Sequence, residues 1–218
     1  MGEVRALIFD MDGVLIDSNP VHRLAWEEYD RRHGIETTEA MLQSMYGRRN
    51  DEIVRCFLGD HLTDSEVCAH GAAKEALYRE MMRPLIPRAL VPGVIDFVSR
   101  HRDLALAVAT NAEPANLNLV LDEAGLRPFF RLVVTGHEVT HPKPHPEIYL
   151  HTAGLLDVPP DACVVFEDSC AGVQAGLDAG MRVVGVTTTH EDLPGVALLI
   201  RDFNDPGLEP WLAGSMDA

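Results

Sequence analysis

Two carboxylates stand two positions apart at the end of a short apolar run. Asp10 and Asp12 follow the run Ala6–Phe9 and are themselves followed by Gly13. A nearly continuous apolar run of this length is typical of a buried strand in a parallel sheet. Ligand sites of open α/β sheets lie beyond the carboxyl ends of the strands. The sequence therefore predicts that both carboxylates stand at such an edge, where paired acids can bind a cation or exchange a proton.

Polar residues also follow three later strand-like runs. They are Thr110 and Asn111 after residues 104–109, Lys143 beyond residues 132–135, and Glu167 and Asp168 after residues 163–166. Taken singly, these residues are more typical of helix caps, solvated loops or charges at helix N-termini. Because parallel strands point the same way, however, their carboxyl ends meet at one edge of the sheet. We therefore expect these five residues to converge on Asp10 and Asp12.

A cation should lie between Asp10 and Asp168, because the two carboxylates would otherwise repel each other. Oxygen ligands without histidine or thiolate fit Mg²⁺, which keeps waters and phosphate oxygens in its shell. Lys143 offers a positive charge to a phosphate, and Thr110 offers a neutral donor. A carboxylate can attack phosphorus to form an acyl phosphate, and a second carboxyl, here Asp12, can exchange the proton. The set therefore favours phosphoryl transfer.

The elements that would position these residues alternate between strands and helices. Strands are predicted at residues 4–9, 104–109, 132–135, 163–166, 183–186 and 198–200. Helical patterns separate them, opened by Glu113-Pro114 and Pro146 and closed by Gly125 and Gly180. Alternation of this kind is typical of an α/β fold, a Rossmann-like parallel sheet with helices on both faces. The tail after Pro206 shows no clear pattern.

The stretch between the first and second predicted strands shows only helix signals. The tripeptide Ser18-Asn19-Pro20 indicates a helix start with a capping side chain, and Thr63 with Glu66 forms a capping-box pattern. This stretch interrupts the sheet after its first strand. We therefore predict two domains: an inserted all-α helical cap at residues 18–87, and an α/β core formed by residues 1–17 and 88–218.

Composition restricts the class of partner. The 218 residues have a formal net charge of −16, from 34 acidic against 18 basic side chains. Such a chain lacks the basic face of a nucleic-acid binder, whereas a metal ion and one lysine can still attract a small anion. No apolar run is long enough to cross a bilayer, no signal-peptide pattern opens the sequence, and the four cysteines show no CxxC spacing. We therefore expect a cytoplasmic protein with free thiols and without nucleic-acid or membrane partners.

Other candidates for substrate contact lie in the predicted cap. His22 falls on the first predicted helix, near the cleft, where surface and substrate-facing positions are equally compatible with the sequence. A lysine such as Lys74 and a turn such as residues 47–50 are more often exposed to solvent than part of a binding site. We nevertheless keep His22, Arg49 and Lys74, together with Asn111, as candidate substrate-binding residues.

Two histidines in a proline-rich segment raise the possibility of a second metal site. His141 and His145 are four positions apart within His-Pro-Lys-Pro-His-Pro. Histidines at this spacing share one face of a helix, but the prolines forbid a helix here. We therefore do not expect a zinc site at these residues.

Together, these residues resemble the motifs of the haloacid dehalogenase superfamily, and the resemblance extends over nearly the whole chain. The segment Phe9-Asp10-Met11-Asp12-Gly13-Val14 is similar to its first motif, and Thr110, Lys143 and Glu167-Asp168 are similar to its second, third and fourth. The predicted helical insertion stands where the family carries a helical cap. The branch that the sequence resembles most contains β-phosphoglucomutase and the sugar-phosphate phosphatases.

The resemblance implies a role for each matching position. Asp10 would be the nucleophile, and Asp12 would be the general acid/base and would offer its backbone carbonyl to Mg²⁺. Thr110 and Lys143 would bind the phosphoryl group. Asp168 would be a metal ligand, and Glu167 would bind a metal-bound water. In this branch the cap closes over the substrate, which would recruit His22 and Lys74.

The implied function is Mg²⁺-dependent hydrolysis of small phosphorylated metabolites, sugar phosphates foremost, through a phospho-aspartate intermediate. The presence of Asp12 argues against a true dehalogenase. Mutase activity of the β-phosphoglucomutase type is the main alternative. His22 and Lys74 match mutase-like positions, whereas Asn50 stands where the mutase has an arginine. A non-catalytic binding protein on the same fold is a remote alternative, and the intact set of acids argues against it.

Overall fold

The structure, a computed structural model, describes residues 3–216 and contains one six-stranded parallel sheet. Its strands are β1 (Ala6–Phe9), β2 (Ala105–Thr110), β3 (Leu132–Thr135), β4 (Cys163–Glu167), β5 (Arg182–Val186) and β6 (Leu198–Ile200). Across the sheet they lie in the order β3-β2-β1-β4-β5-β6. The predicted α/β class is confirmed, and each predicted strand lies within two residues of an observed one.

Strand β1 occupies the centre of the sheet, between β2 and β4. Phe9 pairs with Val108 on one side and with Phe166 on the other. After β1, the chain first adds β2 and β3 on one side of it and then adds β4, β5 and β6 on the other side. Open α/β sheets bind ligands at the place where the strand order reverses in this way, here between β1 and β4. Asp10 follows Phe9 and therefore stands at this switch point.

Both faces of β1 are covered, which explains its continuous apolar sequence. Leu7 and Phe9 join one core cluster, and Ala6 and Ile8 join the cluster on the opposite face. Phe9 also stacks on Phe166, with ring centroids 4.8 Å apart. Burial of each large side chain of this kind contributes about 1.5–3 kcal/mol, so the strand that carries Asp10 is firmly anchored.

Ten α-helices accompany the sheet in the described residues. They are α1 (Asn19–Arg32), α2 (Glu39–Ser44), α3 (Asn50–Leu58), α4 (Asp64–Met82), α5 (Ile86–Ala89), α6 (Val94–Arg100), α7 (Pro114–Glu123), α8 (Glu147–Leu156), α9 (Cys170–Asp178) and α10 (Leu208–Met216). Helices α6, α7 and α10 pack on the Phe9 face of the sheet, and α8 and α9 pack on the Ile8 face.

Helices α1 to α5, which we call the helical segment, lie between β1 and β2. The segment has an apolar cluster of its own around Trp26, Val54 and Phe57. The predicted capping box opens α4, since Oγ1 of Thr63 accepts from the backbone of Glu66 while the Glu66 carboxylate accepts from the backbone of Thr63. Residue 87, the predicted end of the cap, falls inside the short helix α5.

Two further expectations concern the chain as a whole. Within residues 3–216, no helix combines the length and the apolar character needed to span a bilayer. All four cysteines belong to this described part of the chain, and each of them is free there, as the sequence predicts.

Candidate active site

The carboxyl ends of the three central strands carry the first residues of the site. Asp10 follows β1, Thr110 closes β2 and Glu167 closes β4. The backbone N–H of Asp10 donates to the carbonyl of Phe166 at 3.0 Å, which places the end of β1 directly beside β4. All three side chains are buried. The structure thus brings together residues that are far apart in the sequence.

Lys143 contacts two of the carboxylates. Its Nζ donates to Oδ1 of Asp10 at 2.7 Å and to Oε1 of Glu167 at 2.6 Å. It also donates to the carbonyl of Ala109 at 2.9 Å, so all three ammonium protons have acceptors. Burial would lower the pKa of Lys143, but the two carboxylates outweigh burial and raise it. Lys143 therefore remains a cation beside Asp10.

Glu167 is fully buried, and both of its carboxylate oxygens accept hydrogen bonds. In addition to the lysine, the hydroxyl of Tyr149 donates to Oε1 at 2.7 Å. Oε2 accepts from the backbone N–H groups of Asp168 and Ser169 at 3.1 and 3.2 Å and from the Ser169 hydroxyl at 3.1 Å. A Cβ atom at Gly172 would lie 1.8 Å from Oε1, so α9 can approach the carboxylate only with glycine there.

Asp168 is held by two residues that we did not predict as site residues. The hydroxyl of Thr189, which follows β5, donates to Oδ2 of Asp168. Nδ2 of Asn19, the first residue of α1, lies 3.3 Å from the same oxygen and 2.6 Å from Oγ1 of Thr189. Gly13 has a φ of +75°, and a Cβ atom there would lie 1.8 Å from Oδ2. The chain leaving β1 therefore passes directly over Asp168.

The site carries more negative than positive charge. Ligand oxygens of Asp10, Glu167 and Asp168 lie within 4.8 Å of one another, beside the single ammonium group of Lys143. Burial, opposed by Lys143 but reinforced by Glu167 and Asp12, raises the pKa of Asp10 to about 7. Burial and the charges of Glu167 and Asp10 also raise the pKa of Asp168 well above its ordinary value. An all-oxygen donor set with this excess of negative charge fits a hard divalent cation such as Mg²⁺.

Asp12 contacts the helical segment. The hydroxyl of Ser18 donates to Oδ1 of Asp12, and Nε2 of His22 lies 3.6 Å from the same oxygen. Burial would raise the pKa of Asp12, but His22, Ser18 and the charge of Lys74 together bring it below its ordinary value. Ser18 immediately precedes α1, but its side chain does not cap the helix, because its hydroxyl binds Asp12 instead.

A buried series of polar contacts continues from His22. Nζ of Lys74 lies 2.9 Å from Nδ1 of His22 and 2.8 Å from Oε1 of Glu75. Oε2 of Glu75 accepts from Nδ2 of Asn116 at 2.6 Å, which joins α4 to α7. His22 also stacks on Tyr78, with ring centroids 3.7 Å apart. The solvated position favoured for Lys74 was therefore wrong, since that side chain is 1% exposed.

A cavity of about 80 Å³ lies between the strand ends and the helical segment. The sheet side is lined by Asp10, Asp12, Thr110, Lys143 and Asp168, and the helical side by His22, Trp26, Met45, Arg48, Asn50 and Lys74. Asn111 connects the two sides, because its Nδ2 donates to the carbonyl of Gly47 at 2.9 Å. The predicted candidates His22, Asn111 and Lys74 thus line the same cavity as the acids.

Among the four candidate substrate-binding residues, Arg49 is the one that does not line the cavity. It precedes α3, and its Nε lies 3.1 Å from Oδ1 of Asp51. Its backbone is extended, with φ of −75° and ψ of 150°, so neighbouring side chains point to opposite sides. Arg48, one residue earlier, lines the cavity instead. The local backbone geometry thus decides which of the two arginines reaches the cavity.

Comparison with known proteins identifies relatives that align over most of the chain. A family model described as haloacid dehalogenase-like hydrolase matches residues 4–180. Fructose-1-phosphate phosphatase YqaB of Escherichia coli K12 is 35% identical over 182 residues, covering 83% of this chain and 95% of the relative. The β-phosphoglucomutase of Bacillus subtilis 168 is 28% identical over 211 residues, covering 94% of this chain and 93% of the relative.

A solved structure has the same fold. The crystal structure of β-phosphoglucomutase from Clostridium difficile superposes with a TM-score of 0.88 at 24% sequence identity. The superposition covers 98% of this chain and 97% of the mutase. At this level of identity, the likeness concerns the fold alone.

Proposed function

This chain belongs to the haloacid dehalogenase-like hydrolase family, and we propose that it is a phosphatase of small phosphorylated metabolites. The observation that supports the proposal most is the position of Asp10 at the end of the central strand, in contact with Lys143 and with a carboxylate oxygen within 4.8 Å of one of Asp168. Sugar phosphates are the favoured substrates, since the relative from Escherichia coli is named as a fructose-1-phosphate phosphatase.

In the first step, a carboxylate oxygen of Asp10 attacks phosphorus, and the bond from phosphorus to the leaving oxygen breaks. Asp12 passes its proton to that oxygen, so that an alcohol leaves and a phospho-aspartate remains. Thr110 would donate to a phosphoryl oxygen, and Lys143, whose three protons already have acceptors, would contribute its positive charge. Asp10, Asp168 and the carbonyl of Asp12, with Glu167 nearby, would hold Mg²⁺, which would supply charge neutralisation at the phosphate.

In the second step, a water molecule attacks phosphorus and passes a proton to Asp12. The bond between phosphorus and Asp10 breaks, which releases phosphate and restores the carboxylate. Asp12 must therefore be protonated when the substrate binds and ionised afterwards. The negative charge of a bound phosphate favours the protonated carboxyl and so opposes the lowering of its pKa by His22 and Ser18.

The proposal includes a mobile cap formed by residues 18–87, on a core formed by residues 1–17 and 88–218. The separate apolar cluster of the helical segment supports this division. Polar contacts across the cleft join Asn111 to Gly47, Asn116 to Glu75, and Asp168 to Asn19. Closure of the cap excludes bulk water during the first step, and opening releases the products.

A phosphate-release screen over phosphorylated metabolites, with Mg²⁺ present, tests the proposal. We expect turnover of sugar phosphates and at least a hundredfold loss in excess EDTA. An undiminished rate in EDTA would contradict the metal requirement. Complete inactivity over a wide panel would instead favour a non-catalytic binding protein.

The mutase is the second candidate, and the contact between His22 and Lys74 supports it, because both positions match the mutase. Asn50 argues against it, because a neutral amide at that position cannot neutralise the second phosphate of a bisphosphate. An assay with β-glucose 1-phosphate and a bisphosphate activator separates the two functions. Formation of glucose 6-phosphate without free phosphate would establish the mutase.

A further inference from the structure

A second group of side chains that could ligate a metal lies on the outer face of the loop that carries Lys143. The loop runs from residue 139 to residue 146, and the sequence correctly predicts that its prolines exclude a helix. The loop nevertheless brings His141 and His145 together, with ring centroids 4.7 Å apart. Glu147, at the start of α8, joins them, and potential ligand atoms of all three lie within 4.8 Å of one another.

The distances from the Glu147 carboxylate to the two histidine rings suit a single ion. Oε2 of Glu147 lies 2.8 Å from Nδ1 of His141 and 3.9 Å from Nδ1 of His145. Two ligand atoms that share an ion, each at a bond length of about 2.1 Å, can lie no further apart than about 4.2 Å. Both of these separations meet this condition.

The carboxylate is held in place by the loop itself. Oε1 of Glu147 accepts from the backbone N–H of Thr140 at 2.8 Å, and Oε2 accepts from that of His141 at 3.0 Å. The N–H of Thr140 and the imidazole of His141 hold the pKa of Glu147 at about 2. Nδ1 of His145 accepts from the backbone N–H of Glu147 at 3.2 Å, a contact that an ion would replace. The two backbone contacts to the carboxylate orient it as a ligand before a metal arrives.

We propose that His141, His145 and Glu147 bind a divalent transition-metal ion, with Zn²⁺ as the best match. Two imidazoles and one carboxylate are ligands that Zn²⁺ takes readily, whereas Mg²⁺ prefers oxygen alone. The side chains of both histidines are more than half exposed, at 62% and 52%, so water can complete the shell. The ion would link the beginning of the Lys143 loop to the beginning of α8.

Titration of metal-free protein with Zn²⁺, followed by calorimetry, tests the site. Wild type should bind one equivalent more than His141→Ala/His145→Ala, and each single variant should bind that equivalent at least tenfold more weakly. The difference isolates this site, because binding at the buried carboxylates is common to all the proteins. His151→Ala, which removes an exposed histidine of α8 outside the cluster, should bind as wild type does.

Two further readouts complete the test. Co²⁺ bound to wild type should give visible absorption bands that the double variant lacks, since nitrogen ligands alter its spectrum. Zn²⁺ should raise the Tm of wild type by several degrees more than that of the double variant. Equal Tm values without metal would show that the variants fold. An equal number of zinc equivalents and equal affinity in wild type and the double variant would overturn the proposal.

Discussion

Nζ of Lys143 lies 2.7 Å from Oδ1 of Asp10, although the two residues are 133 positions apart in the sequence. Both are buried, and Lys143 also neutralises Glu167 at 2.6 Å. Removing one partner from a buried ion pair leaves an uncompensated charge in a low-dielectric environment. The contact that presents the proposed nucleophile therefore also contributes to the stability of the core.

Substitution of Lys143 tests this double role. In Lys143→Met, Asp10 and Glu167 lose their shared cation, and we expect the free energy of unfolding to fall by about 3–5 kcal/mol. Phosphate release should fall at least a hundredfold. Urea unfolding and a steady-state assay measure the two effects. A variant as stable as wild type would show that the pair does not support the fold.

Gly13→Ala should disturb Asp168 directly. The new Cβ would lie 1.8 Å from Oδ2 of Asp168, and φ at this position is +75°. Gly34→Ala is the matched control, since φ is +70° there and no described atom lies within 4 Å of the new Cβ. Each substitution carries a strain of about 1–2 kcal/mol from the left-handed backbone. Only Gly13→Ala should also abolish activity, and equal activity of the two variants would refute the close approach.

Glu75→Gln should destabilise the protein in a pH-dependent way. Burial would raise the pKa of Glu75, but Lys74, His22 and Asn116 outweigh it, so the folded pKa lies below the ordinary 4.5. Ionised Glu75 therefore stabilises the fold above about pH 4.5, and this contribution disappears as the pH falls through the lowered folded pKa.

We expect Glu75→Gln to be about 3 kcal/mol less stable than wild type at pH 7, because it leaves Lys74 buried without its anion. The difference should shrink when urea unfolding is repeated below pH 4.5. Glu80→Gln, an exposed change on the same helix, should have little effect at either pH. A difference between Glu75→Gln and wild type that is independent of pH would contradict the assignment.

Arg48 and Arg49 should differ in their effect on catalysis. Arg48 lines the cavity, whereas Arg49 pairs with Asp51 outside it. Arg48→Ala should lower kcat/KM for the preferred sugar phosphate about tenfold, as expected for the loss of a charged hydrogen bond. Arg49→Ala should change it less than twofold. A larger loss of kcat/KM from Arg49→Ala than from Arg48→Ala would contradict this prediction and support Arg49, the residue that the sequence favours.

Much of the site could be predicted because it depends on the backbone pattern. An apolar run that ends in polar residues indicates the end of a buried strand, and parallel strands place those ends together. This reasoning brought Lys143 to Asp10 although Lys143 lies eight residues beyond the end of β3. The sequence also contains only two lysines, Lys74 and Lys143, among its 18 basic residues. Both lysines are buried, and no local sequence pattern indicated this for Lys74.

Features that depend on side-chain direction or on distant packing could not be predicted. Asn19 and Thr189 meet across 170 positions, and no local pattern indicates that contact. Helix α10 was missed because it contains Pro210 and Gly214, which disfavour a helix. It forms because Leu208 and Leu212 are buried in the main core, so tertiary packing overrides local propensity.

The central claim, that Asp10 accepts the phosphoryl group, is tested most directly by the pre-steady-state reaction with excess p-nitrophenyl phosphate in Mg²⁺. Its good leaving group needs no acid, so Asp12→Asn should release one equivalent of p-nitrophenolate and retain phosphate on the protein. Mass spectrometry of the acid-quenched protein should locate this phosphate on Asp10. Asp10→Asn should give neither a burst nor bound phosphate. A burst from Asp10→Asn, or phosphate bound at any other residue, would contradict the account.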